Sequence, residues 1–149
     1  ELQYLRHYLS LEEMRFDGKF RANIQLDSDL TPSMIHIPPM IIQPHLENAI
    51  HHGLMPKMNG DAQLTITFRE EADVCRCIIE DNGIGRQQAA LLSNGNGKNH
   101  HSFSTRITRE RIDILNRKLN TTAGRIDIQD LTNESGDATG TRVIIVVPL

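Results

Sequence analysis

The chain is 149 residues long, 38% hydrophobic, 23% charged and 4% aromatic, with no Trp. That length and apolar fraction suit one globular domain with its own core and argue against a disordered chain or a two-domain enzyme. Sixteen Lys and Arg against nineteen Asp and Glu leave a formal charge of −3, so no basic surplus points to nucleic acid or an anionic membrane as partner. The longest apolar run, Val143 to Val147, is far shorter than the ~20 residues that cross a bilayer, and no signal-peptide pattern opens the sequence. The chain therefore reads as soluble.

Leu2, Leu5 and Leu9, with Met14 and Phe16 beyond them, recur near helical spacing and predict a helix from Glu1 to about Arg15. Phe20 to Leu26 alternates as a strand does, and Asp27 to Pro32 supplies turn chemistry. Pro38 to about Gly53 predicts a helix, with proline at its start and glycine near its C-cap. Gln63–Phe68 and Val74–Ile79 predict a hairpin joined by the polar turn Arg69 to Asp73. A short helix follows over Gln87 to Leu92. Ser93 to His101 has almost no apolar content and is expected to be a mobile loop. Thr105 to Leu119 predicts a helix with Ile107, Ile112, Leu115 and Leu119 as its stripe, and strands are expected at Gly124–Gln129 and Thr141–Val147. No internal repeat is present. This order predicts an α+β fold, one mixed sheet with helices on one face.

Cys75 and Cys77 are two apart in a strand-like run, so both side chains point to one face. A bridge between them would distort the strand. Buried or half-buried thiols in a reducing compartment are the expectation, and no second cysteine pair exists to complete a thiolate metal site.

Two segments carry polar groups that ordinary packing does not require. At 100° per residue, the helix expected over Pro38 to Gly53 puts Ile42, Leu46, Ala49, Ile50 and Gly53 on one side and Pro44, His45, Asn48, His51 and His52 on the other. A solvated face with incidental histidines satisfies that pattern. No His pair stands at i, i+4 and H-E-x-x-H is absent, which disfavours zinc. An Asn amide oxygen suits a hard, largely hydrated cation such as Mg²⁺. The second segment is Asp81-Asn-Gly-Ile-Gly85. Gly83 and Gly85 permit close backbone approach, so a planar ligand can lie against the bend with Asp81 at its edge. Alone, this motif is also an ordinary turn or part of a calcium loop, although the Glu that closes an EF-hand is missing.

Taken together, Gln43-Pro-His-Leu-Glu-Asn-Ala-Ile-His-His-Gly53, Asp81-Asn-Gly-Ile-Gly85 and Gly140-Thr-Arg-Val-Ile-Ile-Val-Val-Pro148 resemble, in order and spacing, the nucleotide-binding domain of the GHKL ATPase superfamily. The segment Ile37-Pro-Pro-Met-Ile-Ile-Gln-Pro44 ahead of the Asn brings the resemblance nearest to the LytS-type sensor histidine kinases. Glu1 to Phe16 looks like the tail of that family's phosphoacceptor region. The resemblance implies a two-layer α/β sandwich of the Bergerat type, with residues 1–17 as the acceptor-region tail and 18–149 as the ATP-binding catalytic domain.

By that resemblance Asn48 ligates Mg²⁺ and, with His51, forms the catalytic pair. Asp81 accepts the adenine 6-amino group, which disfavours guanine. Gly83 and Gly85 turn beneath the base, Gly140 and Thr141 stand on the adjoining strand, and His52, Ser104 and Thr105 complete the ATP-contacting set. Ser93 to His101 corresponds to a lid over the phosphates. The implied activity is Mg²⁺-dependent transfer of the ATP γ-phosphate to a His outside this chain, because none of His7, His45, His100 and His101 has the acceptor's context. Little autophosphorylation is then expected in isolation. The implied partners are the acceptor segment and a downstream response regulator. The implied setting is a cytoplasmic domain, itself contacting neither nucleic acid nor membrane, of a protein anchored in a bacterial membrane.

Three departures stand beside the resemblance. His51 occupies a place where relatives often carry Lys, which implies ATP binding that weakens above about pH 7 as the imidazole loses its charge. Ser104 replaces a glycine that precedes the lid-distal helix, so the helix N-terminus is expected to approach phosphate less closely, although Ser and Thr there can still cap and offer N–H groups. Pro44 stands where relatives that hydrolyse ATP carry a carboxylate, and Glu47 lies about 100° around the helix from Asn48. Transfer to another segment, which needs mainly positioning and charge neutralisation, fits better than hydrolysis. The alternative is a degenerate module that binds nucleotide without transferring phosphate.

Overall fold

The structure, a computed structural model, describes residues 2–27, 37, 38, 40–57, 61–93 and 96–149, with residues 96–102 as backbone only. The helix α1 (Leu2–Arg15) leads into β1 (Phe20–Leu26). The helix α2 (Gln43–Asn48) runs on as a π-helical turn, Ala49–Leu54, and a 3₁₀ turn, Met55–Lys57. Then come β2 (Ala62–Glu71), β3 (Val74–Asp81), α3 (Arg86–Leu92), α4 (Asn96–Leu119), β4 (Arg125–Thr132) and β5 (Ala138–Pro148). The five strands form one sheet in the order β1-β2-β3-β5-β4. β1 pairs parallel to β2 and every other pair is antiparallel. A parallel pair needs a long crossover, and the segment between β1 and β2 provides it with α2. The expected mixed α+β sheet is the one observed.

Period-two alternation sorts the strands. Ala62, Leu64, Ile66 and Phe68 of β2, and Cys75, Cys77 and Ile79 of β3, are buried on the helix-covered face. They meet Leu5, Leu9, Ile41, Ile42, Leu46, Ile50, Leu54 and Ile112 from the helical layer. The opposite face of the sheet carries the ion pairs Arg76–Glu71 and Arg142–Glu80, each at 2.8 Å. Both cysteines are free and buried, and burial pushes the Cys75 thiol up to about 11 and Cys77 well above its ordinary value. They are core residues, as their shared face predicted.

Several boundaries differ from expectation. The helix around Asn48 starts at Gln43, not Pro38: Met40 takes φ 62°, and Pro38, which precedes another proline, is sterically steered away from helical backbone. Pro44 is the proline of the first turn. Gly53 is not a C-cap, because the chain stays helical through it to Lys57. The hairpin turn is only Ala72-Asp73, with Ala72 at φ 53° and Glu71 paired to Val74. The expected loop Ser93–His101 is helical from Asn96 onward, since extending a formed helix adds one hydrogen bond per residue without a new nucleus. The turn expected over 27–32 lies outside the described residues beyond Asp27. In α4 the stripe is Thr108, Ile112 and Leu115, whereas Leu119 is exposed. Among the described residues no helix is long and apolar enough to cross a membrane.

Leu46 is fully buried two residues before Asn48. Leu46→Ala should cost about 2–5 kcal/mol through lost burial and the residual cavity, read as a lower denaturant midpoint at unchanged m-value.

Candidate functional site

Asp81 continues the buried alternation of β3, after Cys75, Cys77 and Ile79, so strand geometry itself directs a carboxylate into the helical layer. It is 5% exposed. Its Oδ1 accepts the Gly83 N–H at 2.9 Å, and the Thr141 backbone, opposite it in the β3–β5 register, supplies a second hydrogen bond. Desolvation outweighs those bonds, and the Asp81 carboxyl is pushed up to about 6.

Three glycines permit the close packing around Asp81, one of them against its carboxylate. A Cβ on Gly53 would stand 2.9 Å from Asp81 Oδ1, one on Gly83 would strike the Gly53 backbone, and one on Gly140 would strike the Asp81 carbonyl. Gly140 also takes φ 146°. The Ile84 N–H donates to the Gly53 carbonyl at 3.0 Å, which ties the Asp81–Gly85 bend to the π-helical turn. Such turns recur at functional sites. Lys57 Nζ donates to the Asn82 carbonyl at 2.6 Å and fixes the same bend from the far end of the turn.

Between α2, the bend and β5 lies a cleft of about 450 Å³, counting the part open to solvent. Asn48, His52, Asp81, Gly85, Thr105 and Thr141 line it, together with the apolar side chains Ala49, Ile79, Ala89, Ile128 and Val143. Six of the residues expected at the site thus converge on one cleft. Gly83 and Gly140 are not on its walls; they pack behind Asp81. Ser104 is well inside α4 and absent from the lining, so it caps no helix N-terminus.

His51 departs furthest from expectation. Its ring lies edge-on to Phe16 at 5.9 Å and its Nε2 stands 3.7 Å from Glu12 Oε2 on α1. It is not part of the cleft lining. The pH dependence of phosphate binding expected through His51 loses its geometric basis.

His45, expected on a solvated arc, is 2% exposed and shares a 2.8 Å hydrogen bond with Thr108, itself fully buried. That bond clamps α2 to α4 beside the cleft. The sequence named His45 but not this bond, and did not single out Arg86; both residues line the cleft, and their partners lie 63 and 44 residues away, beyond the reach of local pattern.

The lining fits an adenine nucleotide chemically. Apolar walls suit a flat heterocycle, and a buried carboxylate at their edge calls for a hydrogen-bond donor. Among the described residues no group of three or more His, Cys, Asp and Glu is arranged to hold a metal; Asn48, in the cleft lining, carries an amide oxygen of the kind that suits Mg²⁺ held mainly by phosphate and water.

The fold is that of histidine kinase catalytic domains. The histidine kinase domain of the Erythrobacter litoralis EL346 blue-light activated histidine kinase superposes with a TM-score of 0.62, at 20% identity, over 99% of this chain and 64% of that one. The Acinetobacter baumannii histidine kinase AdeS gives 0.57 at 19% identity, over 97% of this chain and 62% of that one. In sequence, the chain is homologous to the sensor histidine kinase/phosphatase LytS of Staphylococcus aureus, with 36% identity over 85 residues in strains Mu50, N315 and MW2 alike. That match takes in 57% of this chain and 14% of LytS. No protein-family model matches the chain.

The Asp81 environment sets a stability dependence. Between pH 3.8 and about 6 the unfolded chain releases this proton while the folded one keeps it, so stability is full at low pH and falls as pH rises, by up to ~3 kcal/mol at ~1.4 kcal/mol per pH unit. Asp81→Asn, which keeps an acceptor for Gly83, should therefore unfold at higher denaturant than wild type at pH 8 and at the same denaturant at pH 3.5.

Proposed function

We propose that this chain is the ATP-binding catalytic domain of a sensor histidine kinase, transferring the γ-phosphate of ATP to a His on a segment outside the chain. One observation carries the reading: the Asp81 carboxylate and the Asn48 amide, from separate elements, line the same cleft. The LytS homology supports it in sequence and the histidine kinase neighbours in fold.

In this reading Asp81 accepts the adenine amino group, and an ionised carboxylate there opposes the carbonyl that guanine presents. Ile79, Ala49 and Val143 exclude water from the base. The Asn48 side-chain oxygen would hold Mg²⁺, which when bound neutralises phosphate charge. His52 and Thr105, both in the cleft lining, contact the remainder of the nucleotide. Pro44, one helical turn before Asn48, offers no base for water, which favours transfer over hydrolysis. Residues 1–17 are the tail of the acceptor and dimerisation region, residues 18–149 the catalytic domain, and a response regulator receives the phosphate downstream. The setting is a cytoplasmic domain of a membrane-anchored bacterial protein.

A second reading, a nucleotide-binding module without transfer activity, is favoured by His51 facing Glu12 rather than the cleft. Labelled ATP with a separately supplied acceptor segment distinguishes the two: the kinase labels the segment and the module does not.

Titration with ATP and GTP, with and without Mg²⁺, tests the shared nucleotide reading. Wild type should prefer ATP. Asp81→Asn should weaken ATP by ~10–100-fold, the scale of a hydrogen bond to a charged group, and Asn48→Ala should abolish the benefit of Mg²⁺. Equal affinity for ATP and GTP would overturn the assignment.

The state of Asp81 makes a further prediction. Above pH 6 the carboxylate only accepts, and below it the protonated form also donates, to which guanine O6 is receptive. The ADP-to-GDP affinity ratio should fall as pH drops from 7.5 to 5; taking the ratio cancels the titration of the shared phosphates.

A further inference from the structure

Arg86 opens α3 directly after Gly85, whose φ of 82° and missing side chain let the chain turn there: a Cβ on Gly85 would stand 2.9 Å from the Ala138 Cβ. The side chain then reaches β4. Its Nε donates to Asp130 Oδ1 and its Nη2 to Asp130 Oδ2, both at 2.7 Å. This two-pronged geometry holds the guanidinium plane in one orientation. Asp130 is on the same face of β4 as Ile128, and both Ile128 and Arg86 belong to the cleft on which Asp81 opens. Nη1 makes no hydrogen bond among the described residues.

The charge balance decides what this group serves. Asp130 and Asp127 both act on the Arg86 guanidinium, and Asp81 lies on the same cleft. Among the described residues, a guanidinium already paired with one carboxylate and close to others has little net charge left to attract phosphate. What remains on offer is a flat, weakly hydrated surface that stacks on aromatic rings. We propose that Arg86, pinned by Asp130, is a nucleoside-contacting residue that covers a face of the purine and makes no contact with the phosphates. Asp130 is its positioning residue. The inference rests on the nucleotide reading and adds a specificity-determining residue to it.

Binding of ADP and of adenosine, measured by calorimetry or NMR for wild type, Arg86→Ala, Arg86→Lys and Asp130→Asn, tests this. Arg86→Ala should weaken both ligands alike, by ~10-fold, within the range of a partly desolvated cation–π contact. Arg86→Lys, which keeps the charge without the plane, should stay within ~3-fold of Arg86→Ala, and Asp130→Asn, which keeps the plane but frees it, should lose less than ~3-fold. Loss confined to ADP would make Arg86 a phosphate ligand and overturn the proposal. Equal losses from Arg86→Ala and Asp130→Asn would reduce the pair to a structural bridge, and unchanged affinity would remove the contact; both overturn it. Wild type binding neither ligand would instead remove the nucleotide reading itself, and this inference with it.

Discussion

A carboxylate held out of water is the constraint around which this domain is arranged. Asp81 occupies a core-facing strand position where a further aliphatic residue would be cheaper. Two backbone hydrogen bonds compensate it in part, and the missing side chains of Gly53, Gly83 and Gly140 let three backbone segments crowd against it. The fold tolerates the cost because the rest of β3 and its neighbours bury mostly apolar side chains on the same face, Cys75, Cys77 and Ile79 of β3 among them.

The segment that faces Asp81 is unusual for the same reason. An ordinary α-helix across Ala49–Leu54 would advance its side chains by a fixed angle; the π-helical turn there redistributes them. Asn48 and His52 meet the cleft, His51 meets α1, and the Gly53 backbone is left close enough to receive the Ile84 N–H. The His45–Thr108 bond then fixes this segment against α4. One wall of the cleft is thus built from a helix whose irregularity, glycine and buried histidine act together.

Strand content was legible in the sequence because a half-buried strand writes its period directly: β1 matches its expected bounds, β2, β3 and β5 contain theirs, and β4 starts one residue after its expected Gly124. The pairing of Asn48 with Asp81 was legible through the order and spacing of three motifs, none sufficient alone. The helix around Asn48 was legible only in kind. A fixed 100° wheel cannot represent the π-helical turn that carries His51, so it grouped His51 with Asn48, and it sent His45, in the α-helical part, to solvent because nothing in a single helix shows that α4 covers that arc through Thr108; both assignments fail against the geometry. Gly53 looked like a terminator because glycine usually is one; its use as clearance for Asp81 depends on a residue 28 positions later. The polar run before Thr105 looked like a loop because composition says nothing of a helix extended from a packed stretch downstream.

The packing of α1 has a practical consequence. With no Trp in the chain and two tyrosines in all, both of them, Tyr4 and Tyr8, fall on α1: Tyr4 donates to Gln43 Oε1 at 3.2 Å, and Tyr8 packs against the core, where burial drives its phenol far above the usual range. The native ultraviolet emission of the domain is therefore a gauge of whether the first helix is seated on the body of the protein. It is nearly blind to what enters the cleft, and a chromophore to watch that event has to be supplied from outside.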